Sequence, residues 1–370
     1  MAAFRDPETI LIINIRLIGD VILTTPLIDM IRKRWPTAKI DFLANRGTAE
    51  MLEKDPRLRK ILYHENVREK GFKGRGVGGG FYLFRILKRY DMAISLGDSD
   101  RGTIAAAIAG KRVRLGFLLG HRGIKRWFRK LLLTHQVDFP PFHAHMIEAC
   151  QRVFEVLGEE PGDPVVRVYW DDDDLRTVNE RFPTLEQGRY LVVHPFARLG
   201  YKDLPEVQLV AAVTDLARDL DLAVVATSGP DQDEKRKLSE LSFPEDIEVH
   251  RSPGSLTLNQ VACLISRSRV YLGVDTAVSH IAASTGVPMV AFFGPSRIYR
   301  WGPWNNARPE FRYPERGRVQ NGQIMVFQKD WDCVPCGLMG CNGSFISDCL
   351  LEIEATEIVK AIQDTLRGGC

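Results

Sequence analysis

Short apolar runs alternate with amphipathic stretches along most of this chain, and no other feature constrains its fold as strongly. Apolar runs of this length predict buried strands, and apolar residues at helical spacing predict amphipathic helices. In the first half the predicted order is strand 9–15, helix 24–35, strand 38–44, strand 90–96, helix 102–110 and strand 112–117. This order favours a parallel sheet that is covered by helices on both faces.

The alternation breaks at residues 158–190, which are rich in proline, glycine and acidic residues, and then resumes. The second half contains predicted strand 189–195, helix 206–220, strand 222–228, strand 247–252, helix 257–268, strand 269–274 and strand 287–293. We therefore predict an α/β protein of two Rossmann-like domains, 1–165 and 166–350, that face each other across a cleft. Residues 351–370 are predicted to form a C-terminal helix and tail.

Charge, hydropathy and cysteine content exclude several classes of protein. The net charge of +3 is too small to predict nucleic-acid binding. No apolar run reaches the roughly 18 to 20 residues that span a bilayer. Asp6, Glu8 and Arg16 interrupt the N-terminus too early for a signal peptide. Seven cysteines, an odd number, are typical of a reduced, cytosolic chain when no export signal is present.

The loop after the first strand carries the first candidate for chemistry. Ligands of open α/β sheets lie at the carboxyl ends of the strands, and Asp20 follows Gly19 at that point. Two roles fit Asp20. It can act as a general base that takes a proton from an acceptor hydroxyl, or it can cap the following helix. Spacing alone does not separate the two.

Two strand-to-helix loops of the second domain carry further candidates. Lys202 and Arg198 follow its first strand, where cations suit a phosphate, although both also fit a solvated surface. Gly229 makes the turn after the next strand, and Asp231 follows it. An acid at that position either accepts hydrogen bonds from a ribose diol or caps the next helix.

A polar cluster interrupts the otherwise buried-looking segment 272–296. Asp275, Thr276, Ser279 and His280 follow the strand, and the spacing of Thr276 and His280 places them on one helix face. The start of this helix offers N–H groups to an anion, and Gly273 permits close approach of a ligand. The alternative is a capping Asp with a hydrogen-bonded core His. Four polar groups at one strand end favour a ligand site.

The cysteine spacing near the C-terminus is compatible with three interpretations. Cys333, Cys336, Cys341 and Cys349 have the pattern C-x2-C-x4-C-x7-C. The first pair has metal-ligand spacing and the second does not repeat it, so zinc, an iron–sulfur cluster and reduced thiols all stay open.

Three other stretches are less specific. The basic, aromatic-edged stretch 121–133 fits a helix on an anionic membrane, or an ordinary surface helix with its apolar face in the core. The acidic run Asp171–Asp174 is predicted to be the first turn of a helix rather than a metal site. The glycines of 74–79 match a dinucleotide fingerprint, but no strand precedes them, which favours a loop.

Read together, these stretches resemble glycosyltransferase family 9, the heptosyltransferases of the lipopolysaccharide core. The resemblance rests on "LIGDVILTTP", "VVHPFARLGYKDLPE", "TSGPDQDE" and "VDTAVSHIAA", and it runs from about residue 10 to 362. It implies a GT-B architecture whose C-terminal domain binds most of the donor and whose N-terminal domain serves the acceptor. It implies an inverting transfer of heptose from ADP-L-glycero-D-manno-heptose to the inner core, with no cofactor and no essential metal.

The resemblance also implies roles for the candidate residues. Asp20 corresponds to the proposed general base, Lys202 to a contact near the donor phosphates, and Asp231, behind Gly229, to the residue that holds the ribose. The sugar and diphosphate would contact Asp275, Thr276, Ala277 through its N–H, and His280. The family often has small or hydroxyl-bearing residues before the Lys, whereas this chain has Phe196, Ala197 and Arg198, so Arg198 is a second candidate for the phosphates.

The partners that the resemblance implies are an ADP-sugar, a lipid-linked oligosaccharide acceptor and the inner-membrane surface. We expect a cytoplasmic protein that is peripheral on the inner face of the inner membrane, and no nucleic acid. Two alternatives stay open: a sugar-nucleotide epimerase or hydrolase on the same two-domain frame, and a non-catalytic two-lobed binding protein.

Overall fold

The computed structural model describes residues 6–64, 86–97, 99–118, 124–138 and 144–368. The chain divides into two compact units, Met1–Val166 (unit 1) and Arg167–Cys370 (unit 2). No helix in the described ranges is long and apolar enough to cross a bilayer. The predicted glycine loop at 74–79 lies outside the described residues.

Unit 1 is built on a six-stranded sheet of order β3-β2-β1-β4-β5-β6, in which every neighbouring pair is parallel. The strands are β1 (Thr9–Ile13), β2 (Lys39–Asn45), β3 (Lys60–His64), β4 (Tyr90–Ser95), β5 (Gly110–Leu118) and β6 (His135–Asp138). The helices are α1 (Ile18–Ile22), α2 (Thr25–Arg34), α3 (Asp100–Ala109), α4 (Ile124–Leu132) and α5 (Glu148–Leu157).

The sequence of β1 explains its place in the middle of this sheet. Ile10, Leu11, Ile12 and Ile13 are all fully buried, as expected for a strand that is covered on both faces. The chain leaves β1 for β2 on one side and later returns to β4 on the other side. The strand order therefore reverses between β1 and β4, and open α/β sheets bind ligands at such a switch point.

Unit 2 repeats this order and adds an antiparallel edge strand, giving β12-β13-β11-β10-β7-β8-β9. The strands are β7 (Tyr190–His194), β8 (Ala223–Ser228), β9 (Val249–Pro253), β10 (Val270–Val274), β11 (Met289–Phe292), β12 (Val319–Asn321) and β13 (Ile324–Phe327). The helices are α6 (Asp172–Arg181), α7 (Glu206–Leu220), α8 (Gln232–Glu240), α9 (Leu258–Ser266), α10 (Ala277–Thr285), α11 (Ile298–Trp301), α12 (Asp348–Leu351) and α13 (Ala355–Gly368). Its switch point lies between β7 and β10.

The C-terminal helix α13 belongs to the core of unit 2. Ile358, Ala361 and Ile362 are fully buried and pack in one apolar cluster with residues of α7 and of the central strands. We therefore expect that deleting α13 would expose one face of the sheet and destabilise the unit.

The predicted α/β class with two Rossmann-type sheets is confirmed. The short strands β3, β6, β12 and β13 were not predicted, because each is brief and lacks a long apolar run. The acidic run is also confirmed as a helix start. Asp171 accepts a hydrogen bond from the Asp174 N–H at 3.1 Å, and the Asp174 carboxylate accepts the Asp171 N–H at 3.2 Å.

Candidate functional site

The switch point of unit 2 brings two loops together at the carboxyl end of the sheet. β7 and β10 are neighbours, with Gly273 of β10 opposite His194 of β7. The loop after β7 carries Lys202 in a short 3-10 turn, and Asp275 follows the last residue of β10. Residues that are 73 positions apart in sequence therefore meet at one point.

Lys202 and Asp275 form an ion pair at this point. Lys202 Nζ lies 2.5 Å from Asp275 Oδ2, and the two side chains are 21% and 11% exposed. Burial alone would raise the pKa of the Asp275 carboxyl, but Lys202 and the Ser296 hydroxyl outweigh it and the pKa is lowered. Burial alone would lower the pKa of Lys202, but Asp275 outweighs it and the pKa is raised. Both groups are therefore held in their charged forms.

His280 is the neutral member of the same cluster. Burial lowers its pKa to about 4, although Asp275 opposes the shift. Its Nδ1 is buried without a hydrogen-bond partner, and Thr276 Oγ1 is buried near the Tyr271 hydroxyl without a hydrogen bond of normal geometry. Buried polar atoms in native proteins are usually paired, so these two atoms lack partners that a ligand or a water could supply.

The helix α10 starts at this cluster with its backbone donors uncapped. Thr276 is the N-cap residue, but its side chain makes no capping hydrogen bond. The first N–H groups of a helix carry the positive end of its dipole and suit an anion. Lys202 lies at the same strand ends but its charge is balanced by Asp275, so the start of the helix supplies the positive potential that favours a negatively charged group.

Ser279 of the predicted polar cluster and the nearby Gly273 have structural roles. Ser279 Oγ donates to the Val274 carbonyl at 2.6 Å and lies 3.1 Å from the Tyr271 hydroxyl. A Cβ at Gly273 would lie only 2.1 Å from that hydroxyl. The Tyr271 side chain therefore requires a glycine here by itself, and the close approach of a ligand at Gly273 stays a prediction.

The turn between β8 and α8 holds Gly229 and Asp231. The Gly229 N–H donates to Glu234 Oε2 at 2.7 Å, and a Cβ at Gly229 would lie 2.6 Å from the same oxygen. Asp231 is the N-cap of α8, since its Oδ1 accepts the Asp233 N–H at 2.9 Å. Its side chain is exposed. Asp231 thus fills the capping role, and its exposed carboxylate stays accessible to a ribose.

The loop between β7 and α7 is organised by a second ion pair. Asp203 accepts the Ala197 N–H at 2.8 Å and pairs with Lys237 Nζ at 2.9 Å. Phe196 is fully buried. Arg198 is exposed and close enough to Lys202 to oppose the rise in its pKa. The departure from the family pattern at 196–198 therefore gives one core residue and one cation beside Lys202.

The switch point of unit 1 carries Asp20 at its own strand ends. Asp20 lies within α1, not in an open loop, and pairs with Arg16, whose Nε is 2.8 Å from Asp20 Oδ1. The side chain of Asp20 is 9% exposed and that of Arg16 is 42% exposed. The N-cap residues of α1 and α2 are Leu17 and Thr24, so Asp20 is not the N-cap of either helix.

The surroundings of Asp20 are fixed by hydrogen bonds to its backbone. Asn14 Nδ2 and Thr24 Oγ1 donate to the Asp20 carbonyl at 3.1 Å and 2.9 Å, and they also bond to each other at 2.7 Å. Gly97, after β4, has φ of 112°, and a Cβ there would lie 3.1 Å from Arg16 Cδ. The arginine therefore lies across the end of β4, and this glycine leaves space for it.

Comparison with known proteins decides what kind of site this is. The family model described as glycosyltransferase family 9 (heptosyltransferase) matches residues 82–323, which is most of the chain. The chain belongs to this family. It is therefore a glycosyltransferase.

Relatives and solved structures agree with the family. The chain is 27% identical over 297 residues to lipopolysaccharide heptosyltransferase 3 of Escherichia coli, covering 79% of this chain and 85% of that protein. A family 9 glycosyltransferase from Veillonella parvula superposes with a TM-score of 0.75 at 18% identity over 97% of both chains. The E. coli heptosyltransferase WaaC with ADP superposes with a TM-score of 0.71 at 17% identity, over 96% of this chain and 99% of that one. The fold is therefore that of the GT-B heptosyltransferases.

Several polar residues of this family 9 glycosyltransferase were missed in the sequence. Ser296 hydrogen-bonds Asp275, and Glu234 takes the N–H of the β8–α8 turn. His194 ends β7 fully buried, with Nδ1 2.9 Å from Thr227 Oγ1, and burial lowers its pKa to about 4. Arg16 was missed as well, although spacing could have indicated it, because Arg16 and Asp20 are four residues apart.

The cysteine group of this glycosyltransferase keeps its thiols out of disulfides. Cys349 is buried, and its thiol stays protonated and neutral. Burial and the nearby thiols of Cys341, Cys336 and Cys333 raise its pKa to about 12. In the described ranges, no three His, Cys, Asp or Glu side chains are arranged to hold a metal ion. Metal analysis of anaerobically purified protein tests the zinc and iron–sulfur alternatives directly.

Proposed function

We propose that this glycosyltransferase moves a heptose, with inversion, from ADP-L-glycero-D-manno-heptose to the inner core of lipopolysaccharide. The observation that carries the proposal is the cluster of Lys202, Asp275 and His280 at the switch point of unit 2. It combines a held positive charge, a neutral imidazole and an uncapped helix start, which together suit a sugar diphosphate. Heptose as the sugar follows from the family and from the relatives' names.

Unit 2 holds the donor in this proposal. The diphosphate binds at the start of α10, at the Ala277 N–H and beside Lys202. Thr276 and His280 use their unpaired buried atoms on the diphosphate and the sugar. Asp275 orients Lys202 and contacts the sugar. The ribose binds at the turn that holds Gly229 and Asp231.

Asp231 is the ribose contact within that turn. One carboxylate oxygen, Oδ1, is engaged by the Asp233 N–H, and the side chain is exposed to solvent. Capping and ribose binding are therefore compatible, because a carboxylate can accept several hydrogen bonds at once.

The leaving group is stabilised without a metal ion. When the bond to the sugar breaks, negative charge grows on the departing diphosphate. Preorganised donors at the place where charge develops are the largest single contribution to catalysis in many enzymes. Lys202 stays protonated because Asp275 raises its pKa, and Arg198 lies near enough to add a second positive charge. We expect the initial rate to be unchanged by a chelator.

Asp20 is the general base on the acceptor side, in unit 1. Its carboxylate accepts the proton of the acceptor hydroxyl as that oxygen attacks the sugar. Arg16 fixes the orientation of the carboxylate through the 2.8 Å contact, and the hydrogen bonds from Asn14 and Thr24 fix the backbone beneath it. The acceptor is a lipid-linked oligosaccharide, so the enzyme works in the cytoplasm at the inner face of the inner membrane.

The test is a matrix of donors and acceptors. Purified protein is incubated with ADP-heptose, other ADP-sugars and UDP-sugars, each with and without truncated core lipid, and the products are read by mass spectrometry. We expect acceptor-dependent addition of one heptose from the ADP-linked donor alone. Conversion of a donor in the absence of acceptor identifies an epimerase or hydrolase, and binding of a donor without any conversion identifies a binding protein.

A further inference from the structure

The helix α4 of unit 1 exposes its large apolar side chains. Trp127 is 64% exposed, Phe128 is 49% exposed and Leu131 is 65% exposed. The spacings of three and four residues place them in one stripe along the helix. A helix of a globular protein normally turns such a stripe toward the core and its charges toward water. In this helix the apolar stripe faces water, and the charged Arg129 is buried instead.

The reversal is set by Arg129, which is buried on the opposite side of α4. Arg129 is 2% exposed, its Nη2 donates to Asp100 Oδ1 at 2.7 Å, and its Nη1 donates to the Phe117 carbonyl at 3.3 Å. These contacts hold α4 against α3 and β5. Rotating the helix to bury the apolar stripe would break them and leave a desolvated guanidinium without its acceptors. The orientation of the stripe is therefore built into the fold.

The charge around the stripe indicates what covers it. The stretch 121–133 contains two lysines and three arginines, of which Arg129 is the buried one, and no acidic residue. Lys130 of α4 and Arg101 of α3 are exposed. An exposed apolar stripe in a basic segment without acidic residues matches the anionic surface of a lipid bilayer, where the rings and Leu enter the acyl boundary and cations meet phosphates.

A second copy of this chain fits the same stripe less well. In a symmetric dimer the same patch would meet itself, so the basic residues of both copies would be brought together. Three exposed side chains are also few compared with the roughly 20 to 30 residues that each partner contributes to a stable interface.

We propose that α4 is a membrane-docking helix, which lies in the headgroup region of an anionic bilayer with Trp127, Phe128 and Leu131 inserted. The choice of a bilayer as the occupant rests on the proposed function, since its acceptor is a lipid. The proposal names the surface through which the enzyme reaches that acceptor.

The experiment measures sedimentation of the full-length protein with vesicles that contain no acceptor. One set of vesicles holds phosphatidylethanolamine with phosphatidylglycerol, and the other holds phosphatidylcholine only. We expect binding to the first set that weakens at high salt, and a loss of about tenfold or more in the triple variant Trp127→Ala/Phe128→Ala/Leu131→Ala. Because the three side chains are exposed, the thermal midpoint should not change. The control Val207→Ala removes an equally exposed apolar side chain of unit 2, and it should bind like the wild type.

Two outcomes overturn the proposal. One is a triple variant that binds anionic vesicles as well as the wild type. The other is a wild-type protein that does not bind vesicles and instead forms a dimer, which the triple variant no longer forms. Heptose transfer to a soluble, truncated acceptor should be retained in the triple variant. A protein that binds vesicles through α4 but transfers no heptose would refute the proposed function and leave this inference intact.

Discussion

The two sheets share one strand order, yet their switch points carry different chemistry. In unit 2 the strand ends hold a buried ion pair, Lys202 with Asp275, beside a neutral imidazole. In unit 1 the described strand ends hold Asp20, whose side chain is only 9% exposed and pairs with Arg16, whose side chain is 42% exposed. The topology thus decides where each site lies, and the residues of the first loops decide what it can bind.

The difference in charge pairing matches two kinds of work. A buried cation is held charged by its partner and presents a fixed field, which suits the binding of an anion whose charge grows during the reaction. The side chain of Asp20 is as little exposed as that of Asp275, and a carboxylate placed at an acceptor hydroxyl can take up its proton. In the proposed function, donor binding belongs to unit 2 and proton removal to unit 1, and the following experiments test this division.

The largest effect is expected for Asp20→Asn. This change removes the only carboxylate proposed to accept the proton, so kcat should fall about 10²- to 10⁴-fold. Affinity for ADP, measured by calorimetry, should stay unchanged because the proposed ADP contacts belong to the other sheet. A matched control is Asp91→Asn at the amino end of β4, where Asp91 accepts the Glu8 and Thr9 N–H groups and pairs with Arg112. Near-normal turnover in Asp20→Asn would remove Asp20 as the base.

The next effect is expected for Lys202→Ala. Loss of a charge-assisted contact to phosphate should weaken ADP binding about 10- to 100-fold by calorimetry. The change also leaves Asp275 buried without its cation, so some stability is lost as well. Lys329→Ala separates the two effects, because Lys329 is buried to a similar degree as Lys202 and pairs with Glu357 at 2.8 Å, and neither residue of that pair is a proposed donor contact. This control should lose stability and keep its ADP affinity, and equal ADP binding by both variants would contradict the assignment.

The dependence of stability on pH should follow the two buried histidines of unit 2. The pKa of both His194 and His280 is lowered from 6.5 to about 4 by burial. Between these values the unfolded chain binds protons that the folded chain does not bind, so the free energy of unfolding falls as the pH falls. Each histidine contributes a slope of about 1.4 kcal/mol per pH unit in that window.

Denaturant titrations at several pH values check this expectation. His194→Asn should flatten the slope relative to wild type. The histidines of unit 1, His64 and His135, also have lowered pKa values and stay in both proteins, so they cancel in the comparison. A variant that keeps the full slope would show that His194 does not titrate as its burial indicates.

The smallest effect separates capping from ribose binding at Asp231. Serine is as good an N-cap as aspartate, so Asp231→Ser should keep the stability of α8 while it removes the carboxylate. We expect an ADP affinity about tenfold lower with an unchanged thermal midpoint. Asp231→Ala should lose the same affinity and, in addition, about 1 kcal/mol of stability. Unchanged ADP binding in Asp231→Ser would leave Asp231 with its capping role alone.

Much of the architecture was predictable because its signals are local. The apolar run of β1 and the amphipathic run of α7 are where periodicity placed them, and the acidic start of α6 follows capping chemistry. The edge strand β12 was not predictable, since three residues carry no periodicity and its pairing with β13 is tertiary. The site residues were found as members of strand-end loops. Their partners Ser296 and Glu234 were not found, because hydrogen bonds between loops leave no mark in local spacing.

The sequence by itself determined the class of fold, the two successive runs of strands and helices, and the family, since periodicity and motif order are properties of the chain. Only the tertiary structure decided which polar residues act together. Lys202 and Asp275 are far apart in sequence and become one charged pair because parallel strands end at the same edge. The same holds for α4, whose stripe the sequence allowed to face either way. The burial of Arg129 against Asp100 and Phe117 turned it outward.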